Sequence, residues 1–203
     1  MNTFRALESA KTDGENTLSI VERSIDSLPE GELLIKVSYS SLNYKDALSA
    51  SGAPGVTRNY PHTPGIDAVG TISQSVDGNF KEGDTVIVTG YDLGMNTSGG
   101  FGEYIRVPSS WAITLPDSLT EKDSMCLGTA GLTAGLSIQA LADFDTTNGF
   151  NESKSIVTGS TGGVGSIALM LLAKLGSQVT AVTGKESQKE LLFGLGASEI
   201  LSR

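Results

Sequence analysis

Two rhythms of apolar and polar positions divide the chain. Short runs rich in Val, Ile and Thr recur at Leu33–Ser40, Ala68–Ser73, Thr85–Thr89 and Glu103–Val107. Pro54-Gly55, Asp77-Gly78 and Glu82-Gly83-Asp84 part them, so this region predicts strands joined by turns. From about Asp123 the rhythm changes. Met125–Ala142 lacks strand alternation and predicts a helix, and a polar connector follows over Asp145–Asn151. Beyond it, Ser155–Thr158 reads as a buried strand and Gln178–Val182 as a second. Between them, Val164, Ile167, Ala168, Leu171, Leu172 and Leu175 fall at helical spacing. A helix over Ser187–Leu195 and a short strand at Ile200-Leu201 complete the pattern. The expected fold class is a β-rich domain, residues 1–123, followed by an α/β domain, residues 124–203.

The join between the first buried strand and its helix is the most informative stretch. Thr158 runs into Gly159, Gly162, Gly163 and Gly165, with Thr161 and Val164 among them. Such glycines permit a tight turn and let the backbone approach a ligand, while the unpaired N–H groups of the first helical turn point at an anion. Strand, glycine turn, helix and second strand together predict a dinucleotide pyrophosphate site; the bland alternative is a glycine-rich turn with no ligand. The second strand decides which dinucleotide. An NAD site usually ends that strand in Asp or Glu, which holds the ribose 2′-hydroxyl. Here it runs into Thr183-Gly184-Lys185, which favours a 2′-phosphate and hence NADPH over NADH. Glu186 is an awkward neighbour, readable as an acid in the first turn of the next helix.

A doubly wound dinucleotide fold has six parallel strands in two halves, and this pattern supplies only the first half. The first strand would stand as an apolar edge. The chain is therefore expected to be part of a longer protein.

Composition narrows the partners. A net charge of −9 argues against nucleic acid or an anionic membrane surface. No run of about 18 apolar residues appears, and Met1-Asn2-Thr3-Phe4-Arg5 lacks a signal-peptide core. Cys126 is the single cysteine, which excludes an intramolecular disulfide and fits a reducing cytoplasm. His62 is the single histidine and cannot build a metal site alone.

Several segments then carry a resemblance. They are Ser40-Ser41-Leu42-Asn43-Tyr44-Lys45-Asp46-Ala47-Leu48, Pro64-Gly65-Ile66-Asp67, Thr89-Gly90-Tyr91, Ser98-Gly99-Gly100-Phe101-Gly102-Glu103, Gly128-Thr129-Ala130-Gly131-Leu132-Thr133-Ala134 and the glycine loop. In order and spacing the chain resembles the zinc-free medium-chain dehydrogenase/reductases of the acrylyl-CoA reductase and quinone oxidoreductase type. The resemblance implies a GroES-like β-domain followed by a Rossmann domain, of which the first mononucleotide half is present. It implies an NADPH-dependent reductase of activated C=C bonds, with an enoyl thioester such as acryloyl-CoA or a quinone as substrate, and a homodimer for the intact protein. Zinc alcohol dehydrogenases of the superfamily place ligands where this chain has Asn43, Ile66 and Gly128, none able to ligate zinc, so no metal is expected.

Residue by residue, the resemblance assigns cofactor contacts to Tyr44, to Thr161, Gly162, Gly163 and Val164 at the pyrophosphate, and to Thr183, Gly184, Lys185 and Arg203 at the 2′-phosphate. Without a metal, the oxygen that gains charge on hydride transfer needs hydrogen-bond donors, and Asn43 and Tyr44 are the catalytic candidates. Tyr44 alternatively is a half-buried packing tyrosine in the loop after the strand. Asp67 is either a proton relay or an acid tying down a nearby Lys or Arg. Lys45 and Asp46 read as an ion pair or a turn-stabilising set. The Gly90–Gly102 loop reads as a lid or a mobile connector. Two further classes stand beside the reductase: a cofactor-binding piece without turnover, and a nucleic-acid-binding relative that the acidic charge disfavours.

Overall fold

A computed structural model describes residues 3–12, 14–144 and 149–203. It divides into two compact units, Met1–Thr129 and Ala130–Arg203. Part of the expected connector, residues 145–148, lies outside the described residues.

The first unit is β-rich. Strands β1 (Thr3–Thr12) and β2 (Glu15–Ser24) form an antiparallel hairpin with Thr12 opposite Glu15. A five-stranded antiparallel sheet follows, made of β3 (Leu33–Tyr39), β4 (Asp67–Ser75), β5 (Thr85–Thr89), β6 (Tyr104–Val107) and β7 (Ala112–Thr114), in the order β6-β3-β4-β5-β7. Leu33 and Ile35 of β3, Ile72 of β4, Val86 and Val88 of β5 and Ile105 and Val107 of β6 are fully or nearly fully buried in one cluster. Each such side chain contributes about 1.5–3 kcal/mol by leaving water, which is why these strands outweigh the loop-forming glycines around them.

Helix α1 (Tyr44–Ala50) leaves β3 after a four-residue extended link. Thr120 opens helix α2 (Glu121–Phe144): its hydroxyl accepts from the Asp123 N–H at 3.1 Å and donates to the Asp123 carboxylate at 2.6 Å. α2 is long and apolar enough to cross a membrane by composition. It is broken at Gly128, whose φ of 49° and ψ of −153° are not helical. The continuous stretch after that break is shorter than the ~20 residues a membrane span needs.

The Gly90–Gly102 loop is tied down near both of its ends. Gly90 N–H donates to Ile66 O, Gly99 to Thr63 O, Gly100 to Gly65 O and Phe101 to Pro64 O, at 2.7–3.1 Å. These bonds join its two ends to the Thr63–Ile66 segment, while residues 93–97 bond within the loop. His62 lies in the adjoining loop, 3% exposed, and pairs with Ser9 of β1 through both backbone groups at 2.8 Å. Its Nε2 is buried without a hydrogen-bond partner among the described residues. Burial holds the imidazole pKa below 6.5, with Arg23 adding to the effect and the Gly94 backbone and Asp92 opposing it. The folded state then binds fewer protons than the unfolded state below that value. Stability present above pH 6.5 is expected to fall as pH drops through the folded value. Urea unfolding from pH 7.5 to 5 should show that decline, and His62→Gln should flatten it.

The second unit is α/β: β8 (Lys154–Thr158), α3 (Gly163–Lys174), β9 (Gln178–Thr183), α4 (Lys189–Gly194) and β10 (Ala197–Ser202). The strands are parallel in the order β10-β9-β8, so β8 is an edge, with Ile156 exposed as the pattern predicts. Val157, Leu169, Leu172, Val179, Ala181 and Leu192 form its core. The helix expected over Ser187–Leu195 is a 3-10 turn at Glu186–Gln188 followed by the shorter α4.

Candidate functional site

Each unit carries one constellation, and they are described separately. In the first, Asp67 starts β4 with its side chain fully buried. Its carboxylate accepts from the Asn43 side-chain amide at 2.9 Å, from the Thr129 backbone N–H at 3.0 Å and from the Thr129 hydroxyl at 2.7 Å. The partners are neutral donors, not the Lys or Arg the sequence reading considered. Gly128 is required beside them: a Cβ there would lie 2.5 Å from Ser41 Oγ and 2.7 Å from Asp67 Oδ2. Asn43 and Gly128 thus converge on Asp67, whose chain neighbour is Ile66. The donor set offers no zinc ligands: Asn43 commits its amide nitrogen to Asp67, and Ile66 and Gly128 have no ligating side-chain atom. Among the described residues, no three His, Cys, Asp or Glu come together.

Asp46 forms the second knot. It is 2% exposed and accepts from the backbone N–H groups of Asn43 at 2.8 Å, Gly65 at 3.1 Å and Ile66 at 2.9 Å. Burial raises its pKa above 3.8; the backbone donors of Asn43 and Ile66 oppose the rise, and the nearby Asp67 charge adds to it. Asp46 thereby fixes the start of α1 to the Gly65-Ile66 turn, the second of the two readings of the Lys45-Asp46 pair. Tyr44 is not in a loop and not half-buried: it is the first residue of α1 and 81% exposed. Asn43 immediately precedes it, half-buried. The sequence reading missed Thr129 and Ser41, whose hydroxyls bond Asp67 and Met125 O. Their residue types carry no signal of their own, because any Ser or Thr reads as turn or surface.

In the second unit the β8–α3 join closes as the glycine spacing demands. A Cβ on Gly165 would lie 2.3 Å from Gly159 O and 2.8 Å from its carbonyl carbon, so only glycine lets the first turn of α3 sit on the loop. Gly162 caps α3 with extended backbone and no side-chain cap, and Gly163 and Val164 open the helix, leaving its first N–H groups for an anion. Ser160, fully buried, donates to Val157 O at 2.6 Å and accepts from Val182 N–H at 3.1 Å, tying together the ends of β8 and β9.

A cleft of about 660 Å³ opens beside this join, lined by Thr158, Gly159, Thr161 and Val182 and by Thr183, Gly184, Lys185 and Arg203. Thr183 ends β9, nearly buried, and its hydroxyl accepts from the Lys185 N–H at 3.0 Å while keeping its own proton to donate. Arg203 is held by its backbone, donating to Thr183 O at 3.1 Å. Among the described residues neither Lys185 nor Arg203 makes an ion pair. Two uncommitted cations and a hydroxyl lining one cleft, with the loop that leads into a helix N-terminus, fit a phosphorylated nucleotide.

Residues 29–117 match the alcohol dehydrogenase GroES-like domain. The acrylyl-CoA reductase AcuI of Ruegeria pomeroyi is 41% identical over 202 residues, covering 98% of this chain and 61% of that protein. The chain belongs to the medium-chain dehydrogenase/reductase superfamily. YhfP of Bacillus subtilis, provisionally named a quinone oxidoreductase, is 44% identical over 98% of this chain and 60% of its own length. Its solved structure with NAD bound has a TM-score of 0.93 over the whole chain and 61% of that chain. The yhdH oxidoreductase of Salmonella enterica, solved with NADP, is 43% identical with a TM-score of 0.93, covering 98% of this chain and 61% of that one. The chain thus spans about 60% of the length of the superfamily members it matches.

Proposed function

We propose that this chain supplies the GroES-like domain and the adenosine-binding half of an NADPH-dependent, metal-independent reductase of activated C=C bonds. The observation that carries the reading is the cleft lined by Thr183, Lys185 and Arg203 together with Gly159 and Thr161 of the loop that leads into the glycine-capped α3. The relatives named for acrylyl-CoA reduction and crystallised with NADP support it. When bound, NADPH supplies a hydride to the β-carbon of an enoyl thioester, and a proton from solvent or a side chain completes the saturated product at the α-carbon.

The residues of this chain then divide the work. Gly163 and Val164 would present backbone N–H groups to the pyrophosphate beside Thr161, with Gly162, whose own N–H is donated to Gly159 O at 2.8 Å, as the cap that brings the loop close. Thr183, Gly184, Lys185 and Arg203 would hold the 2′-phosphate. Asn43 and Tyr44 donate to the thioester oxygen as it gains charge. Asp67 takes one Asn43 amide hydrogen and so turns the other outward, which makes Asp67 a positioning residue. The acidic net charge and single cysteine support a soluble cytoplasmic enzyme acting on a small molecule, with no nucleic-acid or membrane partner. A homodimer of the intact protein rests on the family resemblance.

The test is a fluorescence titration of the purified chain with NADPH, followed by acryloyl-CoA and then a quinone in the same sample. Saturable binding is expected; loss of nicotinamide absorbance on acryloyl-CoA would name the substrate class and show that this chain turns over without the rest of the cofactor fold. Loss with the quinone alone would move the substrate class. Binding with neither loss leaves the cofactor-binding role and removes turnover by this chain. No binding overturns the reading.

A further inference from the structure

The reading above leaves one carboxylate unexplained, and it adjoins two of the residues that line the cleft. Glu186 follows Lys185 directly and opens the 3-10 turn Glu186–Gln188. Its Oε2 meets Lys189 Nζ at 2.5 Å, and its Oε1 accepts from Ser202 Oγ at 3.4 Å. Ser202 immediately precedes Arg203, so the carboxylate bridges the two segments that supply the cations of the cleft. An acid in that place works against a bound phosphate and in favour of a free ribose hydroxyl, the role an acid plays in NAD sites. Lys189 offsets it. The ammonium belongs to the first residue of α4, and its charge neutralises the acid. Neither Glu186 nor Lys189 lines the cleft, so the pair acts on it through the neighbouring Lys185 and Arg203.

We propose that the Glu186–Lys189 pair is a specificity-determining element, through which Lys189 keeps Glu186 from opposing the 2′-phosphate and from accepting the 2′-hydroxyl. The inference rests on the proposed cofactor role of the cleft. Glu186 is held below the ordinary carboxylate range, first by the Lys189 hydrogen bond and then by its charge, so it is ionised at neutral pH. Both side chains are substantially exposed, so solvent screening keeps the effect modest.

The experiment is calorimetric titration of the whole chain with NADP⁺ and with NAD⁺, for the wild type, Lys189→Met, Glu186→Gln and the double variant. Lys189→Met is expected to lower the NADP⁺ to NAD⁺ affinity ratio about three- to five-fold, the loss falling on NADP⁺. Glu186→Gln should raise that ratio, and in its background Lys189→Met should change nothing further. The difference should shrink in 0.5 M salt, where the Debye length is only about 4 Å. An unchanged ratio in Lys189→Met overturns the proposal. So does an equal loss in the Glu186→Gln background, which would assign Lys189 to the phosphate itself. Wild-type chain that binds neither nucleotide sinks the cofactor reading along with it, whereas NADP⁺ binding with an unmoved ratio sinks this inference alone.

Discussion

Gly165→Ala is expected to abolish nucleotide binding while leaving the first unit folded. Two effects of the added methyl oppose each other. Alanine is the better helix former by about 1 kcal/mol. The same methyl would stand 2.3 Å from Gly159 O and 3.0 Å from Ser160 Cα, both backbone atoms that cannot swing aside as a side-chain end can. Overpacking of that kind costs about 1–3 kcal/mol, and contacts this short belong at the upper end. The clash wins. Relief requires the 159–160 loop to withdraw from α3, which spoils the alignment of the first-turn N–H groups with the phosphates. A fall in NADPH affinity of at least about 100-fold follows if two or three such charge-assisted bonds are lost. Fluorescence titration reads the loss, and near-ultraviolet circular dichroism from Trp111, in the first unit, shows whether that unit survives. Retained affinity would mean that the loop does not form the anion site.

The second large effect is in the first unit. Asp67→Ala removes the acceptor of three hydrogen bonds, from Asn43, the Thr129 backbone and the Thr129 hydroxyl, at a fully buried position. Stripping an acceptor from a buried donor costs about 1–3 kcal/mol per group. Relief of burying a carboxylate offsets part of this, so a net loss of about 3 kcal/mol is expected in urea unfolding. A second readout separates the electrostatics from the packing. The Asp67 charge helps hold the Asp46 pKa above 3.8, so in the variant the Asp46 carboxyl should titrate closer to 3.8 by carbon NMR. Below 3.8 the protonated Asp46 favours the folded state, and that contribution is lost as pH rises through the folded value. The variant should therefore lose less stability than the wild type over that rise. An unmoved Asp46 titration would show that the two acids do not sense each other.

Much of the second unit is legible from residues alone. The glycine spacing of 159–165 has one comfortable backbone solution, and β8, α3 and β9 form where the apolar period changes from strand to helix and back. The first unit was legible only in its core strands. The β1–β2 hairpin escaped because its buried face is thin, with Phe4 and Ala6 inside while Leu18 and Ile20 of β2 stand exposed. The Asp13-Gly14 pair between those strands is a hairpin signal that could have exposed it. α1 escaped because Tyr44–Ala50 is short and its anchor is Asp46, whose partners at Gly65 and Ile66 are some twenty residues away. The cleft-lining set came from a local segment plus Arg203, whereas the Asp67 knot gathers positions 43, 67 and 129. No sequence period joins such distant places, and only the folded chain brings them together.

Ser160 has a kinetic meaning as well as a structural one. With its hydroxyl bridging Val157 and Val182, the turn proposed to meet the pyrophosphate is braced from within the protein. Ordering on binding is then left to the Lys185 and Arg203 side chains and not to the turn. Nucleotide capture should run in a single fast phase whose rate follows ionic strength, with no slow rearrangement behind it, so that tuning of affinity falls on the escape of the nucleotide rather than on its arrival.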